Sequence, residues 1–272
     1  MVRQMAGDGV QLAVLDEGAG PPVLLLHGFP DSSRLWRRQV AALNGAGMRA
    51  IAPDLRGFGA SEKPAEVGAY RVGRSVADMV ALLDALGIDR VRVVGHDWGA
   101  SVAWAMAAFV PDRVERLVVM SVGHPALRNR RTIEQRQLSW YMLLFQFEGV
   151  AEELLMRDDW RLAHEWAASH PDLEERLAAL SEPGALTAAL GWYRANVHPA
   201  RELDPPRAVP PVQAPTLGVW SDGDAFLTEG QMERSREHVA GPWRYERIEG
   251  ASHWMQLDAS DEVNALLLEF LA

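Results

Sequence analysis

Short apolar runs rich in β-branched residues alternate along this chain with longer stretches whose apolar positions recur every three to four residues. The runs at 12–15, 23–26, 48–52, 91–94, 117–122, 216–220 and 243–248 predict strands. Between them, Val76, Met79, Val80, Leu83 and Leu86 recur at helical spacing and stop at Gly87, a residue suited to the end of a helix. A further helix is expected from Gly99 to about Val110, before Pro111, and a closing helix over 262–271. Strand and helix in regular alternation predict a mainly parallel sheet with helices on both faces.

The alternation stops after Ser121. From 129 to 211 the pattern is helical, with Trp140, Trp160, Trp166 and Trp192 among its apolar positions and no convincing strand. It ends in a proline-rich stretch, Pro205, Pro206, Pro210, Pro211 and Pro215, which reads as a linker returning to the sheet. The expected organisation is therefore an α/β core over 1–128, a helical lid over 129–211, and the rest of the core over 212–272. Extra helices packed on the back of the sheet are the alternative.

Composition narrows the function classes. A chain of 272 residues, 48% hydrophobic and 24% charged, suits one α/β domain carrying an insertion. The formal net charge of -10 opposes a nucleic-acid or anionic-membrane partner. The densest basic cluster, Arg128, Arg130 and Arg131, reads as a solvated segment end. With no Cys there is no disulfide, thiolate metal site or cysteine nucleophile. The first residues lack a basic segment followed by an apolar stretch, and no run approaches the roughly 18 apolar residues of a membrane span. A cytoplasmic protein is expected, and whether it forms a homodimer is left open.

The chemistry centres on Gly95-His96-Asp97-Trp98-Gly99, which joins the strand at 91–94 to the next helix. Ligands bind at that carboxyl edge of a parallel sheet. Glycines two positions either side of the central residue permit a sharp strand-to-helix turn that projects its side chain. The usual occupant is Ser, but here it is Asp97, and a carboxylate attacking carbon gives an ester that water can then open. His27-Gly28-Phe29-Pro30 ends the strand at 23–26, so the backbone N–H groups of Phe29 and Trp98 are candidate oxyanion donors. Asp54-Leu55-Arg56-Gly57-Phe58-Gly59 reads as a turn-shaping segment on the same edge. An acid and a histidine should follow in that order. His253 lies just beyond the strand at 243–248, and Asp224, just beyond the strand at 216–220, is the expected acid, with Asp222 a rival that spacing alone does not exclude. His253 would activate water, its tautomer fixed by the carboxylate. His96 reads as shaping the turn, and His124, His164, His170, His198 and His238 as surface or packing residues.

Taken together and in this order, His27-Gly28-Phe29-Pro30, the segment from Asp54 to Ser61, Gly95-His96-Asp97-Trp98-Gly99-Ala100 and Gly250-Ala251-Ser252-His253-Trp254 resemble the epoxide hydrolase branch of the α/β-hydrolases. The resemblance implies an α/β-hydrolase fold, an aspartate nucleophile and no metal or organic cofactor. It also implies two lid tyrosines that protonate the epoxide oxygen, and these match Tyr141 and Tyr193. Haloalkane dehalogenases share the main motifs, but halide expulsion needs only N–H donors, and Phe29 stands where the common dehalogenases favour Asn. A non-catalytic ligand-binding protein of the same fold is the third reading. The expected substrates are water and a small hydrophobic epoxide, held in a pocket rimmed by Trp140, Phe145, Trp192 and Trp254.

Overall fold

A computed structural model describes residues 2–130, 132–203 and 208–272. Arg131 of the basic trio, and Pro205 and Pro206 of the expected return linker, lie outside the described residues. The strands are β1 (Val2–Ala6), β2 (Gln11–Glu17), β3 (Pro22–Leu26), β4 (Arg49–Pro53), β5 (Val91–His96), β6 (Val114–Met120), β7 (Thr216–Gly223) and β8 (Trp243–Ser252). They form one sheet in the order β1-β2-β4-β3-β5-β6-β7-β8. β2 runs antiparallel to both of its neighbours, and β4, β3, β5, β6, β7 and β8 are mutually parallel. All seven predicted strands are present. β1 was not expected, because Val2-Arg3-Gln4-Met5-Ala6 carries too little apolar patterning to announce itself and forms only by pairing with β2 at the sheet edge.

The central strands are apolar on both faces because both faces are covered. Val23 to Leu26, and Val91, Val93 and Val94, are all fully buried. The helix Trp98–Phe109 packs on β5 and β6 and against the helix Val72–Ala85, while Arg37–Gly45 packs with the closing helix Ser260–Leu271. Between β6 and β7 the described residues hold helices and no strand: Ile133–Leu138, Trp140–Leu144, Val150–Trp166, Leu173–Leu180 and Ala185–Asn196. Val150–Trp166 is broken in the middle, where Asp158, Asp159 and Trp160 take left-handed backbone conformations. Among the described residues no helix is long and apolar enough to cross a membrane.

The segment from Asp54 to Gly59 builds a turn, as its sequence suggested. Asp54 accepts from the backbone N–H groups of Ser33 at 2.8 Å and Ala60 at 2.9 Å. The Arg56 guanidinium makes a two-pronged pair with Asp78, both contacts at 2.7 Å, and a third bond to the Ala69 carbonyl at 2.7 Å. The Arg56 carbonyl in turn accepts from the Trp192 indole at 3.0 Å, which ties the inserted helices to the core. Arg56 and Asp78 are 2% and 1% exposed, so removing one strands a buried charge. Asp78→Ala is expected to cost about 3–5 kcal/mol in a denaturant titration. Arg74→Ala, which breaks the solvated pair with Asp8, is expected to leave the unfolding midpoint almost unmoved.

Candidate active site

Asp97 sits at the end of β5 with φ 50 and ψ -119, a conformation that L residues rarely adopt and that costs on the order of 1–3 kcal/mol. The neighbouring glycines make the turn sterically feasible. A Cβ at Gly99 would meet the Leu26 carbonyl of β3, so only glycine lets the helix start this close to the sheet. A Cβ at Gly28 would run into the Asp97 carboxylate itself. That open path lets the Phe29 N–H donate to Asp97 Oδ1 at 2.8 Å. Burial raises the Asp97 carboxyl to about 6, against the pull of His253 and the N–H groups of Phe29 and Trp98, which favour the charged form.

His253 follows β8 directly, and its Nδ1 lies 2.8 Å from Asp224 Oδ2. The other oxygen, Oδ1, accepts from the Phe226 and Leu227 N–H groups at 2.8 and 3.0 Å. Burial disfavours the charge on Asp224, but the His253 charge and hydrogen bond, with the Phe226 N–H, hold its carboxyl below the usual value. Burial likewise works against protonated His253, yet Asp224 first, then Asp97 and Asp31, raise it above the ordinary histidine value. Asp222 is turned away: it accepts from the Gly250 N–H at 2.7 Å and lies 3.4 Å from Arg247. Of the two candidate acids, therefore, Asp224 is the one that meets His253. His96 directs Nε2 to the His253 carbonyl at 2.9 Å, and burial lowers it to about 3, so it is a neutral part of the frame.

Above the carboxylate lies a cavity of about 240 Å³ lined by Asp97, Trp98, Tyr141 and Tyr193 among others. Tyr141 comes from the helix Trp140–Leu144 and Tyr193 from Ala185–Asn196, and their rings meet edge to face at 5.9 Å. Burial, followed by the charge of Asp97, holds the Tyr193 phenol well above its ordinary value, so it keeps its proton. The guanidinium of Arg194, next to Tyr193, donates to both oxygens of Glu152 at 2.8 and 2.9 Å and to the Phe145 carbonyl at 3.0 Å. The two tyrosine-bearing helices are thereby bound to each other.

The expected aromatic rim is not what lines this cavity. Trp140 is 48% exposed, whereas Trp192, Trp254 and Phe145 are buried behind the site. Trp192 packs under Trp98 at 5.6 Å, Trp254 donates its indole to Asp31 at 3.0 Å, and Phe145 sits against Phe29 and Tyr193. Helical periodicity marks such residues as apolar but cannot say whether they face a cavity or the packing behind it. The lining instead includes Val122, Leu127, Met142, Val197 and Leu227. Two glutamines also line it, Gln135 and Gln231, neither of which stands out in the sequence. Gln231 is committed to the Ser121 carbonyl, at 2.6 Å, and to the Gly123 N–H. Asp31 was likewise overlooked, although its place just after His27-Gly28-Phe29-Pro30 was a usable signal. It is buried, takes the Trp254 indole, and lies 3.2 Å from Nε2 of His170. Among the described residues no group of three His, Cys, Asp or Glu side chains could hold a metal ion.

The family model for the alpha/beta hydrolase fold matches residues 21–260. Epoxide hydrolase A of Mycobacterium tuberculosis is 33% identical, over 99% of this chain and 96% of that protein. A solved structure described among novel epoxide hydrolases from metagenomes of hot environments has a TM-score of 0.90 at 31% identity, covering 100% of this chain and 98% of the other. The crystal structure of epoxide hydrolase A from Mycobacterium thermoresistibile has a TM-score of 0.83, also at 31% identity, over 100% and 98% of the two chains. The chain accordingly belongs to the α/β-hydrolase fold family, on the branch that contains these epoxide hydrolases.

Proposed function

We propose that this protein hydrolyses epoxides to vicinal diols by forming, and then opening, an ester on Asp97. The observation that carries the reading is that a carboxylate and two phenols open onto one cavity, with the His253–Asp224 pair beside the carboxylate. An Asp97 oxygen attacks an oxirane carbon, the carbon–oxygen bond breaks, and the departing alkoxide takes a proton from Tyr141 or Tyr193. Water then attacks the carbonyl carbon of the ester while His253 takes its proton, and Asp224 stabilises the imidazolium. The Phe29 and Trp98 N–H groups stabilise the oxyanion of that second step, and one such donor is worth about 2.7–4 kcal/mol. Collapse of the tetrahedral adduct passes the remaining proton of the attacking hydroxide to the departing diol oxygen and regenerates the Asp97 carboxylate. The imidazolium proton returns to the tyrosinate, and the diol leaves; the reaction calls on no cofactor.

The tyrosine pair also favours an epoxide over a haloalkane. A departing halide is stable without a proton, whereas an alkoxide is not, so two phenols lining the same cavity as the carboxylate serve ring opening. In this reading the α/β core spans 1–128 and 212–272, and the helices within 129–211 form a lid that carries both phenols. The two glutamines of the lining do not turn the cavity polar. Gln231 is occupied within the protein, and so is Gln135, while Val122, Leu127, Met142, Val197 and Leu227 supply apolar surface. A small hydrophobic epoxide fits such a space better than a charged one.

The covalent step is tested with His253→Gln, which removes the base for water but leaves the nucleophile. Incubated with styrene oxide, the variant is expected to gain the whole mass of the epoxide in intact-protein mass spectrometry, on the peptide containing Asp97. A protein that turns over styrene oxide while His253→Gln stays unmodified would refute the ester. The phenols are tested separately. Tyr141→Phe and Tyr193→Phe are each expected to slow ester formation in single-turnover experiments, and the double variant to reduce it by on the order of a hundredfold or more. Unchanged ester formation in the double variant would remove the tyrosines from the chemistry.

A further inference from the structure

We infer that Gln135 is a positioning residue that ties the tyrosine-bearing helix to the loop holding Asp224, so that the two halves of the reaction share one geometry. The inference rests on the two-step reading above. Gln135 is 4% exposed and belongs to the helix Ile133–Leu138, just before the one that carries Tyr141. Its Nε2 donates to Ser139 Oγ at 2.9 Å and to the Phe226 carbonyl at 2.8 Å. Its Oε1 accepts from the Thr228 N–H at 3.0 Å and the Thr228 hydroxyl at 3.1 Å. An amide side chain has two donor hydrogens and two acceptor lone pairs, and all four are used. Although Gln135 lines the cavity, it has no capacity left for a substrate.

What the amide holds is the loop that sets the acid. Residues 224–228 follow the end of β7, and the Phe226 peptide is their hub. Its N–H donates to Asp224 Oδ1 at 2.8 Å while its carbonyl accepts from Gln135, and its ring touches both Tyr141 at 5.7 Å and His253 at 5.1 Å. On the other side, Ser139 immediately precedes the helix Trp140–Leu144. A single buried amide thus spans the joint between the inserted helices and the core at the point where an acid of the first step meets the relay of the second. Loosening it would let Asp224 drift from His253 and weaken the support of the imidazolium.

The test compares Gln135→Met, Gln135→Glu and a control, Gln137→Met, which alters an exposed residue of the same helix. Ester formation and decay are followed by rapid quench with styrene oxide, normalised to sites that can be alkylated. The titration of the His253 imidazole is read by proton NMR in the resting protein. Besides Asp224, His253 is faced by His96 at the end of β5, by Asp97 from the turn after it and by Asp31 from the loop after β3, none of which the variants alter. Gln135→Met is expected to slow ester decay per active site roughly three- to tenfold, the effect of one ordinary buried hydrogen bond. It is also expected to shift the His253 titration downward, towards the ordinary histidine value, while Gln137→Met moves neither. Normal decay per active site with an unmoved His253 titration would overturn the proposal, even if less folded protein were recovered, because that pattern marks a merely structural role. If Gln135→Met does not fold, Gln135→Glu decides through ester decay alone, since its own charge acts on His253. It keeps the shape and the acceptor for Thr228 but turns an oxygen towards the Phe226 carbonyl, so slowed decay per active site is expected and normal decay would overturn the proposal. Absence of an ester on Asp97 in every protein, the unmodified one included, would refute the two-step reading instead, and the NMR titration would still judge Gln135.

Discussion

An ionised carboxylate buried inside the protein is the constraint around which the site is organised. Burial pushes Asp97 towards neutrality, and a neutral carboxyl would be a poor nucleophile. Three features oppose that pressure: the protonatable His253, the Phe29 N–H at 2.8 Å, and the N–H of Trp98. The two N–H donors depend on backbone positions that few residues tolerate. Gly28 leaves room for the carboxylate, Gly99 lets the helix begin against the Leu26 carbonyl, and Asp97 itself is held at φ 50. The strain is tolerated because the strand before the turn and the helix after it are both buried in the core. Small changes in this turn would therefore move the Asp97 carboxylate and both N–H donors together.

The inserted helices answer the same constraint from above. They cover the carboxylate with apolar side chains and bring two phenols over it, and burial keeps at least the Tyr193 phenol protonated. The helices are fastened by buried polar contacts, Arg194 with Glu152 between themselves and Gln135 and the Trp192 indole to the core. Directional bonds fix a geometry that apolar packing alone leaves loose.

Much of this could be read from the sequence, and the omissions have physical reasons. The parallel strands and the turn at Asp97 were legible because a strand buried on both faces is apolar throughout, and because a turn this tight requires glycine at fixed offsets. The helical insertion was visible as a break in the alternation. β1 was not, since an edge strand is stabilised by its neighbour rather than by its own pattern. Spacing favoured Asp224 but could not exclude Asp222, because a two-residue shift at the end of a strand keeps both on the same side. Only the closing geometry gives Asp224 the two N–H donors and His253, and gives Asp222 the Gly250 N–H and solvent. Trp140, Phe145, Trp192 and Trp254 were assigned to the pocket as large aromatic residues, but Phe145, Trp192 and Trp254 fill the core behind it and Trp140 turns to solvent. Gln135 gave no signal at all, since its role lies in partners 91 and 93 residues away.

The central claim is that Asp97, and not water, attacks the substrate carbon. A single turnover in heavy-oxygen water, with the protein in excess over styrene oxide, measures this directly. Water that opens an ester at its carbonyl leaves its oxygen on the enzyme, so the account predicts heavy oxygen in the Asp97 carboxylate and light oxygen in the first diol released. Heavy oxygen in that first diol, with the peptide containing Asp97 unlabelled, would contradict it.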